Sequence, residues 1–164
     1  MNRRRVLVSC ASCVALTGCV SREPSSTRSD SSSTTSESEC SVPDGSVFES
    51  YEIPSELTEG SAEEFAVDVE QSYSRERADE DGWSIAGTDS TRTTVQVRED
   101  GGYYVKVALS LDGTKETEVQ GEEETLYGDL GYEGWYRITS SSAHRAPGDS
   151  AEPPTDGWKT VSCN

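Results

Sequence analysis

"TTVQVREDGGYYVKVALSLDG", residues 93–113, decides the fold. Val95 and Val97 alternate with polar neighbours, and so do Tyr103, Val105, Val107, Leu109 and Leu111. Arg92, Gln96, Arg98, Tyr104, Lys106 and Ser110 occupy the intervening positions. A period of two places the first set on one face of a strand and the second set on the other. "EDGG", residues 99–102, is turn chemistry between the two runs. One apolar face and one wet face predict an antiparallel sheet packed on one side only.

Upstream of this pair the period changes. In "TEGSAEEFAVDVEQSYSRERADEDG", residues 58–82, Ala62, Phe65, Ala66, Val69 and Tyr73 follow the spacing of one helical face. Ser61 and Glu64 read as a capping box, and Gly82 as the stop, which predicts a helix over about 61–80. A short strand is expected near Val47 to Tyr51, ended by Pro54. From Gly82 onward the segments "WSIAGTD", "TRTTVQVRED", "YYVKVALSLD", "ETLYGDL", "YEGWYRITSSS" and "GWKTVSC" read as strands, with "DGTKE" (112–116) as a second turn. The expected fold is α+β: one helix across an antiparallel meander of four to six strands. A cystatin-like helix on a curved sheet satisfies the same pattern, as an analogy of shape that carries no function.

The chain has 164 residues, room for one ordinary domain, and a formal charge of −17 from 31 acids against 14 Lys and Arg. The first 18 residues contain no acid, so the remainder carries 11 basic residues against 31 acids. Nucleic acid is excluded as a partner, because phosphate binding needs clustered Lys and Arg. Self-repulsion on this scale is relieved by salt, which shortens the Debye length from about 8 Å at 0.15 M to about 3 Å at 1 M. Acid excess with only three lysines resembles the proteins of salt-adapted archaea.

"MNRRRVLVSCASCVALTGC", residues 1–19, has the parts of an export signal: Arg3 to Arg5, a short apolar run from Val6 to Leu16, and small residues before Cys19. "RRRVL" is similar to the twin-arginine export pattern, with Arg3 and Arg4 as the pair, although Asn2 stands where a Ser or Thr is usual. "LTGC", Leu16 to Cys19, resembles the lipobox of bacterial and archaeal lipoproteins. That resemblance implies a lipid on the Cys19 thiol, cleavage after Gly18, and an outward-facing cell-membrane location. The apolar run is too short to span a bilayer. Cys10 and Cys13 form a nominal C-x-x-C, but within the signal it carries no redox or metal role.

Residues 20–39 are dominated by Ser, Thr and acids and read as a flexible tether with an r.m.s. span of about 25 Å. The expected organisation is therefore a signal peptide over 1–18, the lipidated Cys19 with its tether to residue 39, and one domain over 40–164. If Cys19 is lipidated, two cysteines remain in the mature chain, Cys40 and Cys163. Outside the cytosol such a pair predicts a disulfide. The chain-entropy model gives an upper estimate of roughly 4–5 kcal/mol for a loop this long.

Motifs for chemistry are sparse. Trp83, Trp135 and Trp158 each follow an acid and a glycine. They read as strand-opening residues that cap the core; the functional alternative is an aromatic platform for a sugar. His144 is the only histidine, near Ser140 to Ser142. A hydrolase would need it gathered with a serine and a carboxylate. Asp79-Glu80-Asp81 and Glu122-Glu123-Glu124 lack the alternating spacing of a calcium loop. No metal, cofactor, nucleotide fingerprint or catalytic residue is expected. The functional expectation is a lipid-anchored, non-catalytic surface module with a protein or glycan partner; the alternative is a small surface hydrolase using carboxylates or His144.

Overall fold

The computed structural model describes residues 40–164, so the export signal, Cys19 and the tether lie outside the described residues. Helix α1, Glu59–Glu80, starts where Thr58 accepts from the Ser61 N–H while the Ser61 hydroxyl accepts from the Thr58 N–H. The capping box is therefore Thr58–Ser61, one turn before the expected Ser61–Glu64 pair. The helix ends as expected at Gly82, whose φ of +80° only glycine adopts without strain. Its N–H donates to Asp79 O at 2.9 Å.

Five strands follow in meander order: β1 (Ser84–Val97), β2 (Tyr103–Val119), β3 (Glu122–Ile138), β4 (Ser142–Pro147) and β5 (Lys159–Cys163). Each neighbouring pair is antiparallel. The fold is α+β, one helix on a five-stranded antiparallel meander, as the alternation predicts.

Three expectations about the strands are corrected. "DGTKE" is not a turn: Asp112 and Gly113 pair with Asp129 and Gly128 inside the long β2–β3 ladder. Gly113 is a glycine for a different reason, since a Cβ there would meet Ile85 at 3.1 Å and the Trp83 ring at 3.4 Å. The turn falls instead at Gln120-Gly121, where both φ angles are positive (57° and 88°), the signature of a two-residue hairpin turn. Residues 47–50 are turns rather than a strand. Finally, "SAHRAP", whose residues after Ser142 are outside the expected strand segments, is strand β4.

The helix covers one face of the sheet. Ala62, Phe65, Ala66 and Val69 pack with Val105, Val107, Leu109, Leu111, Tyr136, Ile138, Ala143 and Val161, all buried. Val97, though in phase with the inward set, is 73% exposed because it lies at the end of edge strand β1. Between helix and sheet sits one buried charge pair. Arg145 donates from Nε and Nη2 to the two Glu70 carboxylate oxygens at 2.7 and 2.8 Å, and Tyr136 Oη donates to Glu70 at 2.6 Å. The Arg145 guanidinium lies 3.7 Å over the Tyr73 ring. Burial works against its charge, but the Glu70 hydrogen bonds and charge outweigh burial and raise its pKa above the ordinary value. Gly134 makes room, since a Cβ there would collide with the Glu70 carboxylate.

Cys40 and Cys163 are joined, with Cα atoms 5.8 Å apart. The bridge closes the domain where Asn164 bonds back to Ser140 and Ser141 in the β3–β4 turn. That end also carries the β1–β2 turn, and the Gln120-Gly121 tip is at the opposite end of the long hairpin. Among the described residues, no helix is long and apolar enough to cross a membrane.

Candidate ligand-binding surface

Alternation sends the wet set of side chains to the face that the helix leaves open. Cross-strand register then builds a row from residues distant in sequence: Gln96 on β1, Tyr104 on β2, Arg137 on β3 and His144 on β4. Two further groups join the row from outside the ladder. Arg98, just past β1, sets its guanidinium 4.8 Å over the Tyr104 ring. Trp158, just before β5, lies with its ring 6.0 Å from that of Tyr104 at a tilt of 30°. The Arg137 guanidinium lies 5.1 Å over the Trp158 ring. The result is a ladder of two neighbouring aromatic rings flanked by two cations: Arg98, Tyr104, Trp158, Arg137.

The segment between β4 and β5 holds this ladder in place. Trp158 Nε1 donates to Pro154 O at 3.0 Å. In the next row Lys106 Nζ and Trp135 Nε1 both donate to Ser150 O, at 3.0 and 3.1 Å. Lys106 also pairs with Glu133 at 2.9 Å. Trp135, although it points to the outer face, is wholly buried. Beyond Lys106 the side chains shrink. Ser90, Ala108, Ser110 and Gly131 floor an open trough of about 290 Å³, with Arg92 and Glu133 at its rim.

The electrostatics of the ladder run against those of the domain. Residues 40–164 contain 27 acids and nine Lys and Arg, yet Arg92, Arg98, Lys106 and Arg137 all belong to this one face or its turn. Arg98 is paired: its Nε donates to Asp100 at 2.8 Å, and this bond with the Gly102 N–H holds the Asp100 carboxyl down to about 2. Among the described residues Arg98 Nη1 is buried and has no hydrogen-bond partner. Among the described residues Arg137 has no carboxylate within ion-pair distance. Burial, and then the charges of Arg137 and Arg98, push His144 below its ordinary pKa, which favours the neutral imidazole. The surface is thus able to attract an anion and to stack a ring against Trp158 and Tyr104.

The residues singled out from sequence scatter. The three tryptophans do not form one platform: Trp83 packs over Gly113 and Gly128 on the helix side, while Trp135 and Trp158 lie on the outer face. His144 is brought beside Arg137, not beside a carboxylate, and Ser140 to Ser142 lie in the turn before it. Among the described residues, no three His, Cys, Asp or Glu side chains converge on a common ion position. Sequence reasoning missed Arg137 and the Glu70–Arg145–Tyr136 group. Glu70 did leave a signal, because it stands four residues after Ala66, on the apolar stripe itself. Comparison with protein-family models, with curated proteins and with solved structures finds no match for this chain.

Proposed function

We propose that this chain is a lipid-anchored, outward-facing binding module without catalytic activity, held to the membrane through Cys19 and presenting the outer face of its sheet to a ligand. The observation that carries the reading is the cation–aromatic ladder on the sheet face opposite the helix, in which Arg137 has no carboxylate within ion-pair distance among the described residues. A framework closed by Cys40–Cys163 supports the same reading, because a rigid face with few degrees of freedom loses little entropy on binding. A hydrolytic role finds less support, since the neighbours of His144 on that face are arginines, which oppose the positive charge that a general base acquires. The tether meets the domain at Cys40, at the same end as Arg98 and Asp100, so the module would bind close to its root.

Anchoring is tested by fractionating cells that make the native chain or Cys19→Ala. The native protein is expected with the membrane and the variant in the soluble fraction. Membrane association unchanged by the substitution refutes the anchor.

A further inference from the structure

We propose that the Arg98–Tyr104–Trp158–Arg137 ladder is a binding site for an acidic sugar, a saccharide ring carrying a carboxylate or a sulfate. The inference rests on the binding role above and names its ligand class.

Arg137 is the first argument. Among the described residues Arg137 meets no carboxylate, as is also true of Arg75, Arg92, Lys115 and Lys159, but of these five only Arg137 lies over an aromatic ring. Its planar fork is free to take a carboxylate or sulfate through two parallel hydrogen bonds. Arg98 Nη1, buried and without a partner among the described residues, is a second donor at the far end of the ladder. An unmet buried donor is costly, and an incoming acceptor would satisfy it. His144, opposite Arg137 in register and shifted toward the neutral form by burial and then by the charges of Arg137 and Arg98, adds an N–H without adding charge.

The rings set the rest of the ligand. Tyr104 and Trp158 are half-exposed, tilted by 30°, and fixed by the Pro154 hydrogen bond and the Arg98 contact. A tilted pair of fixed rings suits the C–H face of a sugar, with the acid group directed to Arg137. The overall charge sets an upper limit on ligand charge. A polyanion would be repelled by the 27 acids, whereas one acidic group on an otherwise neutral ring meets only the local cations.

The test uses the detergent-solubilised full-length protein and follows tryptophan fluorescence at fixed high salt. The probes are methyl glucuronide, glucose 6-sulfate, methyl glucoside, sodium acetate and sodium sulfate. One or both acidic sugars should bind saturably, and which of them does so identifies the acid group. The neutral sugar and the simple ions should bind at least about tenfold more weakly. Arg137→Gln and Trp158→Ala should each weaken acidic-sugar binding by about tenfold or more. Unfolding curves show whether each variant is folded, and Arg137→Gln decides the matter if Trp158→Ala is not. The site is refuted by equal binding of the neutral sugar or the simple ions. It is equally refuted by unchanged affinity in Arg137→Gln, or by no saturation with either acidic sugar at about 10 mM. Those failures would leave the Cys19-dependent membrane association untouched, so the two readings fail separately.

Discussion

Arg145 and Arg137 stand on neighbouring strands of one sheet but on opposite faces. Arg145 points under the helix, where two hydrogen bonds to Glu70 and one face of Tyr73 surround it. Arg137 points outward, where a tryptophan ring is its neighbour and no carboxylate pairs with it among the described residues. The difference teaches where pairing is compulsory. A buried guanidinium without a counter-charge is not tolerated, because its desolvation is not recovered. A half-exposed one keeps water on its free edge and remains open to a ligand. One side chain type thus fixes the helix on the inner face and stays available on the outer face.

Making one substitution at both sites tests this contrast most strongly. Arg145→Gln strands the Glu70 carboxylate in the core, and urea unfolding should show a loss of about 3–5 kcal/mol. Replacing both partners, Glu70→Leu with Arg145→Met, should recover most of that loss, since a well-packed apolar pair is often as stable as a buried ion pair. A single substitution that costs less than about 1 kcal/mol would break the contrast, because the buried pair would then be no more demanding than a surface one.

The two faces also differ in how legible they are from sequence. Strict alternation from Val95 to Leu111 fixes which residues point in and which point out, and the helix–sheet arrangement follows from it. The boundaries are less legible because Asp-Gly at 112–113 has the chemistry of a turn. Gly113 is instead small to accept Ile85 and Trp83, a contact that arises only in three dimensions. Strand β4 is hidden because its inward positions include only the small Ala143 and Arg145, a charge that reads as surface until Glu70 is placed against it. The outer ladder is half visible: Arg98 and Tyr104 fall on the wet face by alternation. Arg137 reaches them only through register, and Trp158 arrives on a connecting segment after β4, with no local pattern to announce it.

Tyr136 sharpens the inner half of the contrast. Burial and then the Glu70 charge push its hydroxyl well above the ordinary tyrosine value, so the folded state favours the neutral form. The sign follows from linkage: this contribution is complete below the ordinary value of about 10 and is lost as pH rises through the folded value. Arg145, the other charged group that faces the hydroxyl, acts in the opposite direction. Tyr136→Phe removes a hydrogen bond to a carboxylate and should lower stability near neutral pH by about 1.5–3 kcal/mol. Its stability should then fall less steeply above pH about 10 than that of the native protein. Parallel alkaline limbs for the two proteins would show that Tyr136 is not the group responsible.

Arg137→Gln is the smallest effect on stability and the counterpart of Arg145→Gln. The substitution removes a guanidinium at 5.1 Å from the Trp158 ring and breaks no ion pair among the described residues. A half-exposed cation–aromatic contact is worth about 0.5–1 kcal/mol, so the urea midpoint should move little. Loss of a positive charge also increases the self-repulsion of a domain already far to the acidic side, a contribution that salt removes. The small destabilisation should therefore shrink between low and high salt, while that of Arg145→Gln, set by desolvation beneath the helix, should persist. If both losses shrank alike with salt, the distinction between a structural and an available arginine would fail. If only the Arg137 loss shrinks, the cation on the outer face contributes little to holding the fold. Its place in a strongly acidic domain then calls for an explanation outside stability, which an anionic ligand supplies.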